Sequence, residues 1–301
     1  MPFLPVIGVN MSIRPSSGDD PGAAAVPLGY IDAIAGAGGI PLAIPPYEDY
    51  RQIRKIIPFL NGFLFIGGDD YRPEHYGGHP QAEAELVHPR RDRFDVAVAR
   101  LILEETALPV LGICGGCQLL AIARGGALVQ DIGTEWHPRG NVSPPLPHGR
   151  KDRECPEGGV ANTLSGGKAK GKRAAAAGAD EEEAGTGKGE EAALFRHLVR
   201  FAPRSLAFRA TGSPPGGGLA TNSFHHQAIR PDGIGNYFIA SAWTADGIIE
   251  AIESAPGSAW AEIGRFVLGV QWHPERMQDE APHRRPFLAL VQAAANNMAS
   301  A

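Results

Sequence analysis

Two of the three cysteines in this 301-residue chain, Cys114 and Cys117, fall in the stretch LGICGGCQ at 111–118. A C-x-x-C pair at a helix start can be a dithiol redox centre, because a helix N-terminus lowers a thiol's pKa. A zinc site would need two further ligands at suitable spacing, and the third cysteine, Cys155, has no partner of that kind. In a third reading Cys114 alone is a nucleophile. The apolar strand LPVLGIC then ends in a sharp turn, where Gly112, Gly115 and Gly116 remove side chains that would clash between strand and helix. The thiol would stand above the sheet, with the Gly115 N–H aimed at any oxyanion formed there and the following helix favouring thiolate.

Such a nucleophile needs a base, and VLGVQWHPE at 267–275 can supply one. Phe266, Val267, Leu268 and Val270 mark a buried strand that carries His273 at its end, and Pro274 biases His273 toward an extended conformation. Glu275, two residues on, faces the same way and can hold the imidazole tautomer. Alone, either residue reads as an ordinary strand-end histidine or a surface acid. With the elbow upstream, they complete a cysteine, histidine and acid set.

Three further groups could do chemistry. Gly67-Gly68-Asp69-Asp70 follows the strand GFLFI; the Gly68 amide could join that of Gly115 in an oxyanion hole, or the pair could simply form a tight turn. Asp69 and Asp70 could bind a substrate ammonium group or cap the turn. Gln118, one turn into the helix, is a candidate substrate contact, although a structural hydrogen bond from its amide explains it better. His225 and His226 point to opposite sides of an extended chain and have no third metal ligand close in sequence. Trp136, His137 and His148 have no assigned role.

To bring these residues together, the chain must alternate strands and helices. PVIGVNM, GIPLAIPP, GFLFIGG and LPVLGIC are apolar, β-branched segments, and helical spacing follows in VPLGYIDAIAGAGG, around 50–59, over 92–106 and over 115–123. That alternation predicts a doubly wound, mostly parallel α/β sheet with helices on both faces and ligands beyond the carboxyl ends of its strands. NYFIASAW, GIIEAIE and FVLGVQW return the chain to the sheet, and 285–295 reads as a closing helix. Between them, 158–191 is built of Gly, Ala, Lys and Glu with few apolar anchors; it reads as a mobile insertion within a single domain spanning 1–301.

Taken in order, FIGGDDYRPEHYG (65–77), GICGGCQLLAIARGGALVQDI (112–132), NSFHHQAI (222–229) and VLGVQWHPE resemble class I glutamine amidotransferase-like proteins. Within these, the chain is most similar to the γ-glutamyl-γ-aminobutyrate hydrolase branch. The resemblance implies a flavodoxin-like core and hydrolysis of a γ-glutamyl amide through a thioester at Cys114, with His273 and Glu275 completing the triad. It places Gly68 beside Gly115 in the oxyanion hole, and it brings His225 to the active site as a substrate contact. That branch usually has arginine directly after the nucleophile; this chain has Gly115, a departure that bears on substrate choice. Cys117 stands where the pattern tolerates several residue types and is assigned to packing.

The implied partner is a small-molecule γ-glutamyl amide, with a homodimer left open and no cofactor or metal expected. A glutaminase subunit passing ammonia to a synthase is the enzymatic alternative, and a dithiol redox protein ranks below it. A formal charge of −5 provides no basic field for nucleic acid. No apolar run reaches membrane-spanning length, no basic leader precedes the first strand, and three cysteines do not make a disulfide framework, so a cytoplasmic protein is expected.

Overall fold

The computed structural model describes residues 4–16, 22–79, 81, 84–137, 196–213 and 217–300. The expected mobile insertion at 158–191 lies outside the described residues, as do His148 and Cys155. Thirteen strands are present among the described residues: β1 (Val6–Asn10), β2 (Ser12–Arg14), β3 (Ala23–Ala25), β4 (Ile40–Ile44), β5 (Gly62–Phe65), β6 (Val110–Ile113), β7 (Leu128–Val129), β8 (Arg196–Phe201), β9 (Gly218–Asn222), β10 (Ala228–Ile229), β11 (Phe238–Trp243), β12 (Ile249–Ser254) and β13 (Val267–Val270). Nine of them form one sheet in the order β4-β1-β5-β6-β13-β12-β11-β8-β9. From β4 to β13 every pairing is parallel; from β13 to β9 every pairing is antiparallel.

The expected mostly parallel α/β sheet is therefore present, with an antiparallel extension on one side. The parallel half shows why its strands read as continuous apolar runs. Every residue of β5, β6 and β13 is buried, as a sheet covered on both faces requires. The two-residue side-chain period sends Phe63 and Phe65 to one face, where they pack with α2 (Pro89–Glu105) and α3 (Gly115–Ala123). Leu64 and Ile66 go to the other, against α1 (Leu28–Gly36) and the C-terminal helix Ala281–Ser300.

The helix expected over 92–106 begins earlier, at Pro89, because proline at the first helical position is preset for the helix and its missing N–H would have no partner there. The segment 50–59 forms two 3₁₀ turns, Tyr50–Lys55 and Ile57–Phe59, rather than one helix. The closing helix is longer than the expected 285–295 and carries Pro286 inside it. All nine residues of α3 are buried, so it runs through the interior. Adjacent strands β5, β6 and β13 all end at the mouth of this helix, so the loops after them converge on one place.

Candidate active site

Cys114 occupies the corner between β6 and α3 with φ 52° and ψ −111°. A non-glycine residue held in such a region costs about 1–3 kcal/mol, and strain of this kind is typically kept where the side chain must point somewhere specific. The backbone around it explains the glycines. A Cβ at Gly112 would lie 2.6 Å from the Gly116 carbonyl oxygen, and one at Gly116 would overlap the Phe65 carbonyl oxygen. Strand and helix therefore touch backbone to backbone. The Cys114 N–H donates to the Val270 carbonyl of β13 at 2.8 Å, tying the corner to the strand that leads to His273.

His273 lies just beyond β13 and is buried. Its Nδ1 meets Glu275 Oε1 at 2.6 Å, and the imidazole's other hydrogen-bond partner is the Cys114 sulfur. Burial works against the imidazolium, but the Glu275 carboxylate and then Cys114 outweigh it and push His273 up to about 10. The imidazolium thus persists at neutral pH between a carboxylate and a thiol. Asn222, at the end of β9, fixes the histidine's main chain: its Nδ2 donates to the His273 carbonyl at 2.9 Å and its Oδ1 accepts the His273 N–H at 2.8 Å. The Phe224 ring stands edge-on to the imidazole with centroids 6.0 Å apart, and the Arg276 guanidinium lies 4.7 Å over that ring.

The loop after β5 completes the corner. Gly68 is exposed, and a Cβ built on Gly115 would lie 3.3 Å from the Gly68 nitrogen, so the two backbones are neighbours. Among the described residues no protein acceptor takes the amide of Gly68 or of Gly115. These are two adjacent unpaired donors beside a thiol, an arrangement able to receive developing negative charge. Gly68 itself is required sterically, because a Cβ there would overlap the Arg91 guanidinium.

A buried polar network holds this loop. Arg91 donates from Nη2 to the Gly67 carbonyl at 3.0 Å and from Nε to Asp95 Oδ2 at 2.9 Å. Asn10 donates to the same Asp95 oxygen at 2.8 Å and accepts the Ile66 N–H at 2.8 Å. Tyr30, buried under the site, accepts the Gly67 N–H at 3.2 Å; burial, then Glu275, pushes its hydroxyl well above the usual tyrosine range. None of Tyr30, Asn10, Arg91, Asp95 and Asn222 was a sequence candidate, since contacts between distant segments leave no local pattern. Gln271 had a signal in its two-residue spacing from His273; its Nε2 lies 3.6 Å from Cys114 Sγ.

The structure places the remaining sequence candidates around this corner. His225, expected as a substrate contact, is buried; its Nδ1 contacts the Gln227 carbonyl at 2.9 Å, and its Nε2 lies 3.4 Å from Glu250. Its neighbour His226 is the more exposed of the two and meets both Asp70 oxygens at 3.0 Å. Gln118 turns inward, donating to the Gln227 carbonyl and to Gln271 Oε1, both at 3.2 Å. Asp70 is buried and accepts the Glu85 N–H at 3.1 Å, whereas Asp69 is exposed. Trp136 donates to the Asp246 carbonyl, and His137 is exposed. Cys117 is buried, with its thiol pushed well above the usual range by burial; a Cβ on Gly269 would lie 2.7 Å from its sulfur. A thiol so enclosed fits the packing role.

The family model of peptidase C26 matches residues 5–275, from the first strand through Glu275. The chain belongs to the peptidase C26 family. Its class I glutamine amidotransferase-like fold and its membership of an enzyme family follow. Among relatives of this peptidase C26 chain is a provisionally named glutamine amidotransferase of Mycobacterium tuberculosis, 31% identical over 96% of this chain and 75% of its own length. The γ-glutamyl-γ-aminobutyrate hydrolase of Escherichia coli is 26% identical over 90% of this chain and 86% of its own. A solved structure from Thermoplasma acidophilum, provisionally described as a component of GMP synthase, covers 99% of this chain and 98% of that one. At 13% identity and a TM-score of 0.53 it supports the fold alone. No helix among the described residues is long and apolar enough to cross a membrane.

Proposed function

We propose that this protein hydrolyses γ-glutamyl amides through a thioester on Cys114, releasing glutamate and an amine. The observation that carries the proposal is the imidazole of His273 shared between the Cys114 sulfur and the Glu275 carboxylate, with the sulfur fixed at a strained strand-to-helix corner. Thiolate and imidazolium are the working forms. The thiolate attacks the γ-carbonyl carbon, and the carbonyl electron pair moves to oxygen, toward the Gly68 and Gly115 amides. As the C–N bond breaks, His273 gives its proton to the leaving amine and becomes neutral. It then takes a proton from water as that water attacks the thioester; the C–S bond breaks, and glutamate leaves with thiolate and imidazolium restored.

Exposed Asp69, adjacent to Gly68, is the available carboxylate for the substrate's ammonium group. Without arginine after the nucleophile, Arg276 over the Phe224 ring is the nearby cation suited to a carboxylate. The test is a panel of γ-glutamyl amides, glutamine included, assayed for free glutamate with the unmodified protein and with Cys114→Ala. Release from one or more amides that Cys114→Ala abolishes is the expected result. The name carried by the mycobacterial relative supports a second reading, in which glutamine is cleaved for a synthase partner. Release from glutamine only on addition of a second protein would favour it, and release undiminished in Cys114→Ala would reject both.

A further inference from the structure

Behind the active site, three buried side chains from separate segments converge: His197 of β8, Glu250 of β12 and His225 of the loop after β9. The sequence had offered no third ligand near His225, because these residues meet only through the antiparallel half of the sheet. One nitrogen of each imidazole and a Glu250 oxygen lie within 4.8 Å of one another, with His197 Nε2 and His225 Nε2 at 3.2 and 3.4 Å from Glu250 Oε1. Neither the Cys114 chemistry nor the substrate pocket uses them.

We propose that His197, His225 and Glu250 bind a divalent transition-metal ion, with tetrahedral Zn²⁺ the best fit. The geometry argues for it in three ways. First, ligand bonds of about 2.0–2.2 Å from a tetrahedral zinc to nitrogen and carboxylate oxygen place neighbouring ligand atoms roughly 3.3–3.5 Å apart. The two edges from the imidazoles to Glu250, 3.2 and 3.4 Å, have that length. Second, the contact between His225 Nδ1 and the Gln227 carbonyl requires the proton on Nδ1, since a carbonyl can only accept. In the neutral ring the Nε2 lone pair then faces Glu250, where a cation would turn repulsion into coordination. A ring N–H fixed on a backbone carbonyl, with the other nitrogen on metal, is the usual arrangement of a ligating histidine. Third, Thr221 lies directly across the β8–β9 ladder from His197, and its buried hydroxyl has no hydrogen-bond partner among the described residues. A metal-bound water completing the tetrahedron would find its partner there.

The bound ion would join β8, β12 and the loop after β9 at one point. From that loop, the Gln227 carbonyl receives Gln118, Gln118 also donates to Gln271, and Gln271 reaches the Cys114 sulfur. Its role is structural, set behind the nucleophile rather than at it.

The test uses the full chain purified without chelator. Elemental analysis is expected to find about one Zn²⁺ per chain. Protein stripped with a chelator and titrated with Co²⁺ is expected to develop visible absorption bands of tetrahedral cobalt, which Zn²⁺ abolishes. Since Cys114 and His273 could themselves bind metal, Cys114→Ala must keep the cobalt spectrum and Glu250→Gln must lose it. Should Glu250→Gln fail to fold, a Zn²⁺-dependent rise in Tm of stripped Cys114→Ala replaces that arm. Absence of metal together with no cobalt spectrum, or a spectrum lost in Cys114→Ala, would overturn the proposal; neither outcome bears on hydrolysis by Cys114.

Discussion

Asn222 grips the main chain of His273 with both ends of its amide, donating to the carbonyl at 2.9 Å and accepting the N–H at 2.8 Å. Both residues are buried, and no strand pairing joins β9 to the segment that carries His273. One side chain from the far edge of the sheet therefore fixes the main chain that carries the imidazole. Asn222→Ala leaves two backbone groups without partners, each worth about 1–3 kcal/mol. Its expected effects are a lower Tm and a kcat reduced roughly ten- to hundred-fold, because small misplacement of a catalytic group has that cost. Asn222→Asp, which keeps the acceptor and loses the donor, should fall between Asn222→Ala and the native protein in Tm.

The pH dependence follows from the sign of the histidine's shift. Burial lowers His273, but Glu275 and then Cys114 raise it to about 10, so the imidazolium, the proton donor of the proposed mechanism, is lost only as pH rises through that value. The kcat/KM profile should therefore fall on its alkaline side near that same pH of about 10. Glu275→Gln removes the largest raising influence while burial remains, so the alkaline fall must move to lower pH. Turnover should drop by roughly 10²–10⁴-fold as well. An alkaline side unmoved by Glu275→Gln would mean that this carboxylate does not govern His273.

How much of the site is legible in the sequence depends on the range of the contact. Cys114, His273 and Glu275 can be read because strand, turn and neighbour lie in one short segment each: buried apolar runs end at the reactive residue, and glycine or proline marks the turn. The elbow glycines are equally readable, and α3 has the expected bounds of 115–123. Tyr30 and Asn222 cannot be read in this way; the bonds they make span 37 and 51 residues. The surroundings of His225 are equally hidden, since its place between His197 and Glu250 depends on the pairing of β8, β11 and β12. The antiparallel half of the sheet carries that pairing, and strand periodicity does not disclose the order of neighbours.

The backbone contact between β5, β6 and α3 makes a second prediction about stability. A methyl group at Gly116 would overlap the Phe65 carbonyl, and one at Gly112 would press on the Gly116 carbonyl at 2.6 Å. The atoms opposing them are backbone, which cannot swing away as a flexible side chain can. Gly116→Ala and Gly112→Ala should each cost about 3 kcal/mol or more, read as a large fall in Tm or in soluble yield. Gly115→Ala, whose nearest contact would be the Gly68 nitrogen at 3.3 Å, should be far milder in Tm.

Arg91 links the loop after β5 to the interior. Removing its charge strands Asp95 in a fully buried place, and breaking such a pair costs about 3–5 kcal/mol. Arg91→Met should therefore lower stability strongly. The double variant Arg91→Met with Asp95→Asn should recover part of that stability without recovering turnover, because the guanidinium's bond to the Gly67 carbonyl stays lost. Equal recovery of both would show that Arg91 serves stability alone.

Covalent capture tests the central claim most directly. The protein is treated with a glutamine analogue carrying an electrophile at the γ-position, and the labelled residue is mapped by peptide mass spectrometry while glutamate release is followed. One label per chain, on Cys114, rising in step with the loss of hydrolysis and undiminished in Cys117→Ala, is the predicted result. A label on Cys117, or hydrolysis that continues with Cys114 fully modified, would contradict it.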